Sequence, residues 1–228
     1  MISDNISGIL GNITAICQRI GRDPNDVVLV GVTKFADISR INEAIKSGLR
    51  HVGENKVQEA QKKFSSIEVS NAKVTRHMIG HLQTNKVKQA LENFDIIQSV
   101  DSLKLATALE DQAARQDQNI DILLQVNTAG EAQKFGLEPS EVITVIKEIV
   151  RFKHVHLLGL MAIAPLTQET EPIRKCFRDL RVLGDQIRTQ FCNDNIEMKY
   201  LSMGMTGDYE IALEEGSNML RIGRAIFQ

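Results

Sequence analysis

The sequence predicts an α/β fold in which the whole chain, residues 1–228, forms one (β/α)8 barrel domain. Apolar segments of strand length recur eight times, and helical patterns with a period of 3.6 residues separate them. No Pro-, Gly- or Ser-rich linker divides the chain. Strict alternation favours a parallel sheet, and eight units in so short a chain favour closure into a barrel. An open, doubly wound sheet with one misread strand is the alternative.

The individual elements follow from local periodicity. Apolar and β-branched runs predict strands at 27–33, 50–53, 74–79, 96–100, 121–127, 155–161, 198–201 and 218–222. Amphipathic patterns predict helices at 38–47, 56–64, 85–93, 103–116, 139–150, 171–191 and 207–215, and an extra helix at 2–20 precedes the first strand. Asn55 and Gln58 resemble a helix N-cap with its returning amide.

Composition excludes several classes of protein. With 43% hydrophobic and 25% charged residues the chain can bury a substantial core, and its net charge of -2 offers no general attraction to nucleic acid or anionic membrane. The start of the chain lacks the pattern of a secretory signal, and no apolar run is long enough to span a bilayer. We therefore expect a cytoplasmic protein.

Cysteine and histidine spacing indicates neither a disulfide framework nor a metal site. Cys17, Cys176 and Cys192 lack C-x-x-C spacing, so buried thiols are the expectation. His77 and His81 are four residues apart, but the interval runs from a strand into a loop and a third ligand is not evident.

Lys34 is the most informative single residue, because it directly follows the uncharged run 27–33. In a barrel the carboxyl ends of the strands carry the chemistry, and a lysine amine there can form an imine. From position alone the favoured interpretation is a solvated lysine in a loop. The residues after the other strands weigh against it, because they are polar and glycine-rich: Glu54, Asn55, Gly80, His81, Asp101, Asn127, Met161, 202–207, Gly223 and Arg224.

The loops after strands seven and eight are typical of an anion site. Barrels often hold phosphate there, where glycines let backbone amides approach an oxyanion and hydroxyls or an arginine add donors. The residues concerned are Ser202, Gly204, Thr206, Gly207, Gly223 and Arg224. The alternative is that Thr206 or Asp208 merely caps the following helix, with Gly216 as its end.

Arg221 lies inside the eighth strand, on the same side as Met219 and Gly223. A guanidinium stays charged and only donates hydrogen bonds, so inside a barrel it needs a partner. That partner is either a carboxylate, in a buried ion pair, or an acceptor atom of a bound ligand.

Eight segments, in order along nearly the whole chain, resemble one family. They are 29–34 (LVGVTK), 53–59 (GENKVQE), 77–86 (HMIGHLQTNK), 125–127 (QVN), 134–136 (KFG), 159–161 (GLM), 201–206 (LSMGMT) and 221–227 (RIGRAIF). The chain resembles the YggS/PROSC (PLPBP) group of pyridoxal phosphate (PLP) homeostasis proteins, which are related to the barrel domain of alanine racemase, a type III PLP fold. Arg76 departs from the family pattern, which often has tryptophan there, and its charge would need solvent or a carboxylate.

The resemblance implies a cofactor and its ligands. PLP would be held as an imine on Lys34, with Arg221 facing the pyridine nitrogen. Asn55, His77 and Ile79 would line the ring. The phosphate would lie among Ser202, Met203, Gly204, Thr206, Gly223 and Arg224.

The same resemblance predicts that the protein is not an enzyme. A cation that donates to the pyridine nitrogen disfavours its protonation and weakens the ring as an electron sink. Alanine racemase compensates with a tyrosine from a second domain, and neither Tyr200 nor Tyr209 is expected to replace it. The predicted role is PLP (vitamin B6) and amino/keto acid homeostasis, by a monomer with apo PLP enzymes as recipients and no nucleic acid or membrane partner. The alternatives are a PLP-dependent amino-acid racemase and a Schiff-base aldolase that acts on a phosphorylated substrate.

Overall fold

The computed structural model describes residues 1–67, 73–131, 133–191 and 195–228. Within these residues eight parallel strands close into a barrel in sequence order, and β1 pairs with both β2 and β8. Closure excludes the open sheet. The strands are β1 (Val28–Val32), β2 (His51–Glu54), β3 (Thr75–Met78), β4 (Ile96–Val100), β5 (Ile120–Gln125), β6 (Val155–Met161), β7 (Ile196–Ser202) and β8 (Met219–Ile222).

Helices alternate with the strands and surround the barrel. They are α1 (Ile2–Arg19), α2 (Ile38–Lys46), α3 (Val57–Phe64), α4 (Val87–Asn93), α5 (Leu103–Arg115), α6 (Pro139–Ile149), α7 (Thr170–Gln190), α8 (Tyr209–Glu214) and α9 (Arg224–Phe227). The predicted barrel and its extra N-terminal helix are therefore confirmed. The short α9 was not predicted, because one turn of helix is too brief to show a period.

Several helices begin where their sequence supplies a cap. Asp37 accepts a hydrogen bond from the backbone of Arg40 at the start of α2, and Ser102 does the same for Leu105 at the start of α5. The predicted Asn55 cap is wrong: α3 begins one residue later, with Lys56 at the N-cap and no side-chain cap bond. The backbone is still extended at Lys56, with a φ of -135° and a ψ of 131°, so the helix starts after that residue.

Apolar residues form two separate layers. The larger one lies between the strands and the helices and includes the fully buried Phe177, Ile41 and Leu109. The smaller one lies inside the barrel, which we call the lumen, and consists of Val30, Leu123, Met161 and Met219 with a few partly buried neighbours. Polar side chains fill the rest of the lumen.

Two further predictions are answered by the described residues. Cys17 and Cys176 are buried free thiols, as predicted, whereas Cys192 lies outside the described residues. None of the helices in the described part of the chain is long and apolar enough to cross a membrane. The cytoplasmic location and the monomeric state stay predictions.

Candidate functional site

A cavity of about 370 Å³ opens at the carboxyl ends of the strands. Four cationic side chains and one carboxylate line it, among apolar and small residues. The charged residues are Lys34, Lys134, Arg221, Arg224 and Asp208. This excess of positive charge favours an anionic ligand.

Lys34 lies on the turn between β1 and α2, at the mouth of the cavity. Its Nζ lies 5.0 Å from the centre of the Phe35 ring, and the amine has no ion pair with any described residue. The Lys34 side chain is exposed, so its amine is open to solvent. The turn carries Lys34 beyond the end of β1 and into the lining of the cavity.

A buried ionic contact fixes the backbone just before Lys34. Lys63 of α3 donates to the carbonyl oxygen of Thr33 and to Glu54 Oε1, at 2.8 Å each. The Thr33 hydroxyl also lies 2.8 Å from Glu54 Oε1, and both residues are almost fully buried. Sequence reasoning missed Lys63, because nothing in a helical pattern shows which lysine turns inward.

The loop after β7 supplies a second wall of the cavity. Gly204 has a φ of +98°, and a Cβ there would lie 2.6 Å from that of Ala212, so only glycine fits. Asp208 occupies the N-cap position of α8 without capping it; its Oδ1 instead accepts from the backbone of Met205 at 2.5 Å. Burial raises the pKa of Asp208, and this effect is partly offset by that hydrogen bond and by Arg221.

The loop between β7 and α8 was interpreted either as part of an anion site or as a cap for the following helix. Thr206 lies before α8 and does not cap it; the residue lines the cavity, and its hydroxyl has no hydrogen bond to any residue in the described part of the chain. Gly216 does follow the end of α8, with a φ of +100°, as predicted. The loop therefore keeps donors free toward the cavity.

Arg221 is buried, with 4% of its surface exposed, and reaches the cavity floor from the lumen. Its Nη1 donates to the carbonyl oxygen and to the Oγ of Ser202, both at 2.7 Å, and its Nη2 donates to the carbonyl oxygen of Ala162 at 2.8 Å. Burial lowers its pKa to about 10, and Asp208 opposes that shift. Of the two expected kinds of partner, a carboxylate in direct contact is not found among the described residues: neutral oxygens accept the hydrogen bonds of Arg221, and Asp208 acts on it only through its charge.

Five of the eleven predicted cofactor ligands line this cavity. They are Lys34, Thr206, Arg221, Gly223 and Arg224. Ser202, Met203 and Gly204 are buried directly behind its wall, and His77 and Ile79 lie in the lumen below it. Asn55 instead lines a separate cavity of about 260 Å³ beside His81 and Lys86.

Lys134 and Asp208 line the cavity but were not predicted as ligands. Lys134 Nζ donates to Glu131 Oε1 and to the carbonyl oxygen of Ala164, at 2.8 Å each. Lys134 lies several residues after the end of β5, so its position relative to the strand does not predict that it reaches the cavity. In the described part of the chain, no three His, Cys, Asp or Glu side chains lie close enough together to hold a metal ion.

Comparison with known proteins gives the family. The family model of the alanine racemase N-terminal domain matches residues 5–228. A protein from Aquifex aeolicus named pyridoxal phosphate homeostasis protein is 36% identical over 98% of this chain and 96% of its own. The chain belongs to the pyridoxal phosphate homeostasis protein family.

Solved structures agree with this family. A crystal structure of an unknown protein from Bifidobacterium adolescentis has a TM-score of 0.94 at 35% identity, and covers 99% of this chain and 94% of its own. PipY of Synechococcus elongatus PCC7942, solved with PLP bound, has a TM-score of 0.85 at 29% identity and covers 100% of both chains. The family's barrel is therefore present here in full.

Proposed function

We propose that this protein binds PLP in the cavity and holds it as an imine on Lys34, without appreciable turnover of amino acids. The observation that carries the proposal is one cavity that combines a reachable amine with an excess of positive charge. PLP presents an aldehyde to an amine and a phosphate to cations. The names of the relatives and the PLP bound to PipY support the same cofactor.

The residues at the cavity match the parts of PLP. The side chains of Thr206 and Arg224 have no hydrogen bond or ion pair to the described residues, so their donors are available to a phosphate. Gly223 is partly exposed there, and a Cβ on it would lie 3.3 Å from Val32 Cβ, so a larger residue would narrow the space. Met203 and Gly204 support this wall from behind, while Arg221 faces the ring nitrogen.

The polar groups of the cavity favour binding over catalysis. Arg221 keeps its proton near neutral pH, so it disfavours protonation of the ring nitrogen. Strong stabilisation of a carbanion requires that nitrogen to be protonated. Tyr209 receives a hydrogen bond from Asn12, and Tyr200 packs in the lumen, so neither lines the cavity to act as a base. Bound PLP would supply an aldehyde that reacts reversibly with amines, and the chain would supply the contacts that bind the cofactor.

The exposure of Lys34 suggests how the cofactor leaves. The amine sits at the mouth of the cavity, so the amine of another molecule can reach the same carbon and displace it. We infer that apo PLP enzymes are the recipients, which makes the protein a reserve in PLP homeostasis. PLP-loaded protein should activate an apo PLP enzyme faster than free dissociation of PLP from this protein into solution would allow.

Borohydride reduction and mass mapping test the assignment to Lys34. Wild-type protein mixed with PLP should gain an imine absorption band and, after reduction, a stable adduct on Lys34. Lys34→Ala should lose the band and the adduct. Lys134→Ala is the matched control, because it removes the other amine of the same cavity, and it should keep both.

Each outcome bears on a different part of the proposal. An adduct on Lys134 in the wild type would contradict the role of Lys34, but it would still support PLP binding in this cavity. Absence of any band or adduct would contradict PLP binding itself. Lys34-dependent racemisation or aldol cleavage at rates typical of enzymes would contradict the non-catalytic role.

A further inference from the structure

A continuous chain of hydrogen bonds crosses the lumen from Arg221 to the amino end of the barrel. Arg221 Nη1 lies 2.7 Å from Ser202 Oγ, which lies 2.6 Å from Gln98 Oε1. Gln98 Nε2 lies 2.9 Å from His77 Nδ1, and His77 Nε2 lies 3.0 Å from His51 Nδ1. We call these five residues the lumen relay; they come from β8, β7, β4, β3 and β2.

The direction of every bond in the relay follows from its first member. A guanidinium only donates, so Ser202 Oγ accepts from Arg221 and gives its single hydrogen to Gln98 Oε1. The amide then presents its NH2 group to His77 Nδ1, which must be unprotonated. His77 therefore carries its hydrogen on Nε2 and donates to His51. These assignments come from donor chemistry, since hydrogens are inferred from their partners.

Burial keeps the relay in this state. Of its members, His77, Gln98 and Ser202 are fully buried and Arg221 nearly so, while His51 is half-buried at the open end. Burial, with a smaller contribution from His51, lowers the pKa of His77 to about 3, so the imidazole stays neutral near neutral pH. A protonated His77 would place an N–H against the amide N–H of Gln98.

The relay also determines which hydrogens Arg221 has left. Both Nη1 hydrogens are used on Ser202 and one Nη2 hydrogen on Ala162. A guanidinium has five N–H donors, so Nε and the second Nη2 hydrogen have no partner among the described residues. Since Arg221 lines the cavity, these are the donors that a ligand can meet.

We propose that Ser202, Gln98 and His77 are positioning residues, which hold the Arg221 guanidinium in one orientation so that its remaining donors meet the ring nitrogen of PLP. This inference rests on the proposed function. It gives Ser202 and His77 a role behind the site in place of the direct cofactor contact that the family resemblance implied.

The first test uses the protein without cofactor. Nitrogen-15 NMR of the imidazole rings should show His77 as the neutral tautomer with the hydrogen on Nε2. A hydrogen on Nδ1 would reverse the relay and overturn the proposal, whatever the protein binds. This measurement needs only the wild-type chain.

The second test removes one link at a time. Gln98→Met keeps the length of the side chain and loses both polar ends, and His77→Phe keeps a flat ring without an acceptor. Ser99→Ala is the control, because Ser99 is a fully buried neighbour on β4 whose hydroxyl donates to the backbone of Gly80 outside the relay.

The readouts are the Kd for PLP and the nitrogen-15 shift of labelled pyridine against pH. We expect Gln98→Met to weaken binding about tenfold, as for the loss of one well-placed hydrogen bond, and to raise the pH at which the ring nitrogen is protonated. His77→Phe should act in the same direction and more weakly. Ser99→Ala should leave both readouts at the wild-type values.

The outcomes separate this inference from the proposed function. If the wild type binds PLP and the folded relay variants match it in Kd and in the pyridine shift, the positioning role is overturned while PLP binding stands. If the wild type does not bind PLP, the proposed function fails first. If neither variant folds, the tautomer of His77 decides.

Discussion

The lumen and the layer outside the strands are built from the same eight strands but from opposite kinds of side chain. The outer layer is almost wholly apolar, with Phe177 and Ile146 completely buried in it. The lumen holds four fully buried apolar residues and the five polar residues of the relay. Alternate residues of one strand thus face two different environments.

The difference shows where stability and function reside. Removing apolar surface from water is the dominant favourable term in folding, and it accumulates where helices cover the strands. The lumen instead fixes the orientation of its polar side chains, because the residues of the relay are hydrogen-bonded to one another in sequence. The two layers should therefore respond differently to substitution.

The largest expected loss of stability comes from the outer layer. Phe177→Ala should lower the free energy of unfolding by about 3–5 kcal/mol, since it leaves a cavity in a closely packed layer. The Kd for PLP of the protein that stays folded should remain within about twofold of the wild type. Chemical denaturation and a PLP titration measure the two quantities.

A control on the same helix sharpens this expectation. Val182 is 56% exposed, so Val182→Ala should change the free energy of unfolding by no more than about 0.5 kcal/mol. A Phe177→Ala protein that folds stably but fails to bind PLP would contradict the view that the outer layer contributes to stability and not to binding.

An intermediate effect should appear in the pH dependence of stability, and it comes from the lumen. The folded pKa of His77 is about 3, below the ordinary value of 6.5, so below pH 6.5 the unfolded chain binds a proton that the folded chain does not. Stability is thus unaffected above pH 6.5 and falls as the pH drops, by up to about 1.4 kcal/mol per unit for one such group.

Denaturation between pH 6.5 and pH 5 isolates this contribution, because few carboxylates titrate there. In His77→Phe the free energy of unfolding should fall less steeply with decreasing pH, because one titrating group is removed. Burial also lowers the pKa of the half-buried His51, so His51 should account for part of the decline that remains. A wild-type His77 that takes up a proton in this range by NMR would contradict the neutral relay.

The smallest effect is expected at Arg76, on the outer face of β3. Its guanidinium forms two hydrogen bonds with Asp95, at 2.9 Å and 3.1 Å, so of the two predicted surroundings, solvent or a carboxylate, it has the carboxylate. The pair is about one third exposed, and exposed ion pairs contribute about 0–1 kcal/mol. Arg76→Met should therefore cost about 1 kcal/mol or less.

The same variant tests the separation of the two faces of β3. Arg76 and His77 are neighbours in sequence, but their side chains alternate across the sheet. PLP binding by Arg76→Met should match the wild type, with Arg76→Lys as a control that retains the charge. A large loss of affinity would show that the outer face reaches the cofactor.

The fold could be predicted almost completely, because it depends on patterns that each segment carries locally. Strands β4 and β6 were predicted at their observed bounds, and the other predicted strands and helices within two residues at each end. Of the site, five predicted ligands line the cavity, since residues after parallel strands meet at one edge. Lys134 was missed, because its loop returns to the cavity several residues after the strand.

The sequence by itself determined the order of the βα units and the amine and glycines that follow the strands, and it favoured the closed barrel that the structure then confirmed. Periodicity and residue type are local properties of each segment, so they can be recognised from the sequence alone. The tertiary structure alone decided that Lys34 is exposed, that Ser202 gives its hydroxyl hydrogen to Gln98, and that Arg221 has neutral oxygens as partners. Those facts depend on contacts between strands far apart in the chain, where a fraction of an ångström selects the partner.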